Sequence, residues 1–327
     1  MTTSVRARAP SPEDADVLAS IAEDYYFNGQ NQDAIATRHN ISRSYVSRLL
    51  RRARDLGIVE IFVHRDIRRD TALETSLRDR YGLARCVVVT AAATDPDVVL
   101  RHAGQAAARL LAEVLGPDDT LGLSWGSGVR AVVEALTPGR AQAQRVVQMF
   151  GALSTAPTDI LSGELVAPAA RALGASYDRL HAPWIVESAG VAQALLDQPD
   201  IAAVLRQGAA ADVALVGIGA PGTGSSALLF NETYLSVHEL REIREQGAVG
   251  DISGRLFDLD GRPCAVGAMD RIIGLELETI RQIPLVIGIA TGRHKYLAIR
   301  AALRGGLVRA LVTDSDAARE VLRDDPA

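Results

Sequence analysis

The chain has 327 residues, 48% of them hydrophobic and 23% charged, with 35 basic against 40 acidic side chains for a formal net charge of −5. That length predicts two domains with apolar surface for a sizeable core, and the charge balance excludes a polycation that grips nucleic acid over its whole surface. Two cysteines, Cys86 and Cys264, and six scattered histidines exclude a disulfide framework and a four-thiolate zinc site, so neither metal nor cofactor is expected.

The start of the chain carries basic residues with no apolar stretch behind them. The longest apolar runs, such as residues 284–290, fall far short of the ~20 residues needed to cross a bilayer. No signal peptide and no membrane contact are expected, and a reducing cytoplasm is the expected location. Lys295 is the single lysine; every other basic residue is arginine. Arginine keeps its proton where lysine can lose it, so a retained lysine either serves a site that needs an amine or is a plain surface residue in a biased composition.

The first sixty-odd residues read as three short helices. Ser11, Pro12 and an acidic turn start the first, which runs to Phe27 and is broken by Asn28-Gly29. Residues 32–39, opened by Gln32, make the second. Ser42 N-caps the third and Gly57 ends it. There Val46, Leu49, Leu50, Ala53 and Leu56 form one apolar stripe, and Arg43, Ser44, Tyr45, Ser47, Arg48, Arg51 and Arg52 lie on the other face. Residues 58–63 are β-prone and predict a small wing. Between Ala36 and Leu56 stand six arginines and one acid. A positive face on the second helix of a two-helix unit matches helix-turn-helix readers of double-stranded DNA; the plain alternative is a solvated helix face. The expected DNA-contacting set is those seven residues with Gln32 and Ser42. The boundaries read as 1–65 for this all-α, winged unit, 66–82 for a charged linker helix with Leu73 and Leu77 on its apolar edge, and 83–327 for the remainder.

In that remainder, strand-like runs at 86–90, 120–124, 145–149, 213–217, 285–290 and 307–313 alternate with alanine-rich amphipathic helices such as 97–115 and 295–303. The pattern predicts an α/β domain with a mostly parallel sheet. Ligands of such sheets bind at the carboxyl ends of strands, and four glycine-rich segments fall there. Ser124-Trp125-Gly126-Ser127-Gly128 enters a helix at about 129. Gly217-Ile218-Gly219 and Gly250-Asp251-Ile252-Ser253-Gly254 follow, and Gly292-Arg293-His294-Lys295 enters another helix with a cation in place. Free backbone N–H groups at a helix start favour an anion, so together these segments suggest a pocket for a small anion such as a sugar phosphate, although each alone is a common structural turn.

Two enzymatic readings compete. Gly122-Leu123-Ser124-Trp125-Gly126 is a literal G-x-S-x-G with Asp251 and His294 following in hydrolase order, but no HGGG-type loop precedes it. Asp251 and Lys295 suit an isomerase or deaminase that moves protons on a sugar phosphate or forms a Schiff base, and equally suit an ion pair or ligand hydrogen bonds without turnover.

Residues 28–61, with Ile41-Ser42-Arg43-Ser44-Tyr45-Val46-Ser47-Arg48-Leu49-Leu50 inside them, resemble the DNA-binding segment of SorC-type bacterial sugar-responsive regulators. The rest is similar to that family's effector domain over nearly its whole length, through Gly122–Gly126, Gly217–Gly219, Gly250–Ile252, Gly288–Lys295 and Gly305-Gly306-Leu307 with Leu311-Val312-Thr313-Asp314. The resemblance implies a Rossmann-like effector domain related to ribose-5-phosphate isomerase and glucosamine-6-phosphate deaminase that is no longer catalytic. It implies a phosphorylated sugar or polyol as effector, and homo-oligomers (dimers or tetramers) on partly palindromic operators. By this analogy Ser124, Gly126, Ser127 and Gly128 lie near the phosphate with Trp125, while Asp251 and Lys295 face the sugar beside Gly217, Gly219 and Gly292. Gly128 stands where the family often has threonine, which removes a hydroxyl from the cradle, and Thr291 stands where many members have glycine, which narrows the expected pocket.

Overall fold

The computed structural model describes residues 12–59, 67–90, 95–152 and 165–323. The chain divides into two compact units, Met1–Asp66 and Ile67–Ala327.

The first unit contains α1 (Pro12–Tyr26), α2 (Gln32–Arg38) and α3 (Arg43–Asp55). Asn31 caps α2 by accepting the Ala34 N–H at 2.8 Å, and Ser42 caps α3 by accepting that of Tyr45 at 3.2 Å. Leu18, Ile21 and Ala22 of α1 bury against Ile35 and Ala36 of α2 and Val46, Leu49, Leu50 and Ala53 of α3. After Gly57 the Ile58 and Val59 amides both turn back to the Ala53 carbonyl, so these two residues close the helix end and are not strand. The rest of the expected wing lies outside the described residues.

One carboxylate ties the unit's turns together. Asp24 is buried and accepts from Arg38 at 2.7 Å, Asn28 at 3.2 Å, His39 at 3.3 Å and Gln30 at 3.4 Å. Burial pushes its carboxyl up, but the hydrogen bonds from Asn28 and His39 and the charge of Arg38 outweigh that and hold it below the ordinary carboxylate range. A folded-state pKa below the unfolded one stabilises the fold above the unfolded value and loses that contribution as pH falls through the folded one. Asp24→Asn is expected to lower the melting temperature at pH 7, and the gap from wild type should close in melts taken at successively lower pH through about 4.

The second unit runs α4 (Thr71–Tyr81), β1 (Arg85–Val89), α5 (Pro96–Val114), β2 (Thr120–Leu123), α6 (Ser127–Ala135), β3 (Arg145–Gln148), α7 (Val166–Leu173), β4 (Ser176–Asp178), α8 (Ala189–Leu196), α9 (Pro199–Ala209), β5 (Val213–Gly219), α10 (Val237–Glu245), β6 (Gly250–Ile252), β7 (Arg255–Phe257), α11 (Leu277–Gln282), β8 (Leu285–Ile289), α12 (Tyr296–Arg304), β9 (Ala310–Asp314) and α13 (Ser315–Leu322). Seven strands form a parallel sheet in the order β1-β9-β8-β5-β2-β3-β4. Successive side chains feed opposite layers: Cys86 and Val88 pack with α4, α11, α12 and α13, Val87 and Val89 with α5, α6 and α7. With both faces covered, the strands other than the edge strand β4 read as largely apolar runs. The fold is therefore mixed α/β around a parallel sheet.

Two expected boundaries move. The charged connector is α4, capped by Asp70 and ended by Gly82, and its Leu77 is fully buried in the core of the second unit. The last strand begins at Ala310 and not at Leu307, because Gly305 and Gly306 turn the chain out of α12 and Leu307 and Val308 pack as loop residues.

Strand order fixes where a ligand can enter. From β2 the chain winds outward through β3 to β4; it then returns to β5 beside β2 and winds the other way through β8 to β9. Loops leave the adjacent ends of β2 and β5 in opposite directions and open a crevice there. An antiparallel hairpin, β6–β7, attaches to the last residues of β5, pairing Gly219 with Asp251. A separate apolar cluster around Trp184, Phe230, Leu256 and Ile272 supports it.

Candidate functional site: a strand-end pocket and a cationic helix

The crevice holds a pocket lined by Trp125, Gly126, Ser127 and Gly128 after β2, Gly217, Ile218 and Gly219 of β5, Ser225 and Ser226 of the following turn, Asp251 and Ser253 of the hairpin, Ile289 and Lys295. Its free space, including that open to solvent, is about 370 Å³. Gly126 sits at the α6 N-cap with φ of 116°, a conformation that puts the first amides of α6 at the pocket and that other residues rarely adopt. The Ser127 N–H donates to Ser225 Oγ at 3.2 Å. α6 is held close to α5 because Gly104 carries no side chain where a Cβ would collide with Ala131. A Cβ on Gly128 would lie 3.0 Å from Ile289 Cγ2, so the branched side chain of Ile289 occupies the space that a larger residue would need.

On the opposite wall Asp251 is 4% exposed. Its carboxylate accepts from Ser226 Oγ at 2.5 Å and from the Gly254 N–H at 3.0 Å. Burial pushes this carboxyl up, against those hydrogen bonds and the nearby Lys295. Burial likewise pushes the Lys295 ammonium down, against the Asp251 charge, while its Nζ donates to the Ile218 carbonyl at 3.3 Å. Trp125 brings a buried indole N–H with no partner among the described residues. Two desolvated charges in one pocket suit a ligand rich in oxygen atoms.

The hairpin carrying Asp251 is anchored from behind by Arg255. Its guanidinium is 4% exposed as a residue and donates to the carbonyls of Met269 at 2.6 Å, Ile272 at 3.2 Å and Gly274 at 3.4 Å, with Glu276 paired at 2.6 Å. Arg255→Met strips three carbonyls of their donor and is expected to cost roughly 2–4 kcal/mol, read as a lower urea midpoint at unchanged slope; the pair with the exposed Glu276 adds little.

The pocket thus gathers Trp125, Gly126, Ser127, Gly128, Gly217, Gly219, Asp251 and Lys295 as expected from sequence. Ser124 and Gly292 do not line it. Ser124 is buried, its hydroxyl bonded to Ser253 Oγ and 3.4 Å from the Trp125 carbonyl; the Gly292 N–H is spent on Asp314 at 2.5 Å. Thr291, expected to narrow the pocket, is also absent from its walls. Ser225 and Ser226, on a 3-10 turn, were missed; Ser253, whose φ is 56°, stood in the third glycine-rich segment but was not singled out for the ligand. The Ser225-Ser226 pair, two residues beyond Pro221-Gly222, was the available signal. The hydrolase constellation is not formed. Among the described residues no hydrogen bond links Ser124 or Asp251 to His294, whose imidazole pKa is pushed down by burial and by Lys295, with Asp314 opposing.

In the first unit, Arg43, Ser44, Tyr45, Ser47, Arg48, Arg51 and Arg52 are all exposed on α3, opposite its buried stripe. Arg48 lies over the Tyr45 ring at 5.2 Å, which fixes the guanidinium on the surface. Arg43 makes a loose 3.7 Å pair with Asp33, Ser42 spends its lone pair on the cap, and Gln32 is half-buried at the start of α2.

The Sugar-bind family model, a sugar-binding domain, matches residues 65–323. The chain belongs to the SorC-type family of sugar-binding transcriptional regulators. It is 32% identical to the transcriptional regulator LsrR of Klebsiella pneumoniae over 94% of this chain and 93% of that one. It is 31% identical to the deoxyribonucleoside regulator of Bacillus subtilis, over 92% and 95%. The crystal structure of the full-length sorbitol operon regulator SorC from Klebsiella pneumoniae superposes with a TM-score of 0.72 at 29% identity, covering 95% of this chain and all of that one. These relatives are transcriptional regulators and not enzymes. Among the described residues no helix is long and apolar enough to cross a membrane.

Proposed function

We propose that the protein is a cytoplasmic, homo-oligomeric regulator of a carbohydrate or polyol catabolic operon, whose affinity for its double-stranded operator is set by a phosphorylated sugar or polyol. The observation that carries this reading is the pocket at the β2–β5 crevice, where the α6 N-terminus faces the Asp251–Ser226–Lys295 group. The phosphate takes the α6 amides around Gly126, Ser127 and Gly128, with the helix dipole favouring the anion. Hydroxyls of the carbon chain take Asp251, Lys295 and the indole N–H of Trp125. The exposed residues of α3 take DNA, with Arg43, Ser44, Tyr45, Ser47 and Arg48 nearest the bases and Arg51 and Arg52 nearer phosphates.

This assigns the effector unit to the lineage of ribose-5-phosphate isomerase and glucosamine-6-phosphate deaminase with binding retained and turnover lost. Control requires that the ligand bind the DNA-competent and incompetent assemblies with different affinity. The test is a thermal-shift panel of sugar phosphates and the matching free sugars and polyols, followed by anisotropy titration of a duplex from the protein's own promoter with and without the hit. A phosphorylated hit that changes operator affinity supports the reading; a ligand that is consumed, or that leaves operator affinity unchanged, overturns it. A saturating hit at a hundred times its dissociation constant adds ~2.7 kcal/mol of stability.

A further inference from the structure

A second cavity lies at the amino-terminal end of the edge strand β1, between α4 and α5, and shares no residue with the strand-end pocket. It has about 590 Å³ of free space, including that open to solvent. Four arginines, Arg69, Arg78, Arg85 and Arg109, stand in its wall, and Glu113 is the only carboxylate among the lining residues. Its floor is uncharged: Val87 and Leu110 are apolar, and burial pushes the Cys86 thiol up to about 12.

The four guanidiniums are not equivalent. Arg69 is locked by Glu74, Nε to Oε1 at 2.7 Å and Nη2 to Oε2 at 2.8 Å, and that buried carboxylate also takes the Val88 N–H at 3.0 Å. Among the described residues the other three have no carboxylate partner. Arg78 reaches only Thr75 Oγ1 at 3.1 Å, Arg85 reaches only the neighbouring Ala84 carbonyl at 2.9 Å, and Arg109 has no hydrogen bond or ion pair among the described residues. Cations scattered over a surface by compositional bias would face the acids that outnumber them in this chain. Here three are held around one concavity with a single acid, an arrangement that focuses positive potential and leaves forked donors open to a tetrahedral anion.

We propose that this cleft is a second anion site, for a small phosphate-bearing molecule, independent of the strand-end pocket. Ile67, the first residue of the second unit, forms part of the wall, so the ligand contacts the chain where it enters that unit.

The experiment is isothermal titration of the full-length protein with inorganic pyrophosphate at low ionic strength, comparing wild type, Arg78→Gln with Arg109→Gln, and Lys295→Gln. The expected result is saturable binding that weakens with salt, persists in the Lys295 variant and falls about tenfold or more in the double arginine variant. Arg85→Gln alone should give a smaller loss in the same direction. Unchanged melting temperatures without pyrophosphate confirm that the exposed substitutions leave the fold intact. Equal affinity in wild type and the double variant overturns the proposal, as does binding lost only in the Lys295 variant. A changed sedimentation coefficient at unchanged pyrophosphate affinity also overturns it and makes the cleft a subunit surface. Loss in the arginine variant with the Lys295 variant intact supports this site whatever becomes of the strand-end reading.

Discussion

Gly219→Ala is expected to push the response to the effector to about a hundredfold higher concentration while leaving operator binding in place. A Cβ at this position would collide with Ser226 Oγ and with the Asp251 carboxylate, both buried and bonded to each other. Neither can retreat cheaply, because Asp251 is tied to the Gly254 amide and Gly219 is itself paired with Asp251 in the sheet. The added methyl therefore breaks the Ser226–Asp251 bond and moves the carboxylate. Overpacking of this kind costs about 1–3 kcal/mol of stability. Effector affinity should fall about a hundredfold, equivalent to ~2.7 kcal/mol, since a ligand hydroxyl loses its charged acceptor. Gly217→Ala is the control. A Cβ there meets only the Trp125 carbonyl at 3.5 Å and Val129 at 3.9 Å, ordinary contact distances, so its stability should stay close to wild type. Calorimetric titration of the effector identified by the ligand panel, on both variants, decides the matter: equal affinity would show that Asp251 does not hold the ligand. The anisotropy assay without effector checks that operator binding is untouched.

Much of this geometry was legible in the sequence, for a physical reason. Strands covered on both faces must be apolar throughout, so β1, β2, β3, β5 and β8 stand out as runs such as Cys86-Val87-Val88-Val89, and the glycines at their ends mark where the backbone approaches a ligand. The hairpin β6–β7 did not stand out. Each strand has three residues, and Gly250, Ser253 and Gly254 read as a loop; pairing with the tail of β5 makes it a hairpin, a tertiary fact with no local period. β4 escaped for the same reason, since Ser176-Tyr177-Asp178 is held by its register with β3 and not by an apolar pattern. Ser124 shows the opposite error. Its motif resembles a nucleophile elbow, but burial against Ser253 gives its hydroxyl a structural partner, and a strand-glycine-helix junction carries the same letters whether it presents a nucleophile or a row of amides. Gly292 was expected at the ligand from its place in a strand-end glycine segment and from the family resemblance, whereas Asp314, which also caps α13, takes its amide.

Arg48→Ala and Arg52→Ala should fail in different ways on DNA. Helical spacing places Ser44 and Arg48 directly opposite the buried stripe of Val46, Leu49, Leu50 and Ala53, with Arg52 displaced to the flank and a full turn further from the start of the helix. A helix entering the major groove presents its outermost ridge to base edges and its flanks to the phosphate walls. Arg48 lies over the Tyr45 ring; under the proposed reading it makes a bidentate contact with a guanine, worth about 1–3 kcal/mol of discrimination. Arg48→Ala should therefore lower affinity for the operator far more than for a scrambled duplex, bringing the two dissociation constants closer by about tenfold. Arg52→Ala should weaken both duplexes by the same factor and reduce the slope of log affinity against log salt by about 1. Tyr45→Ala adds an internal check, because it frees the Arg48 side chain without removing it; part of the lost discrimination should appear with the salt slope unchanged. Anisotropy titrations of the two duplexes across a salt series read all three variants. Equal losses on every duplex for Arg48→Ala and Arg52→Ala would mean that α3 lies along the backbone with its ridge outside the groove.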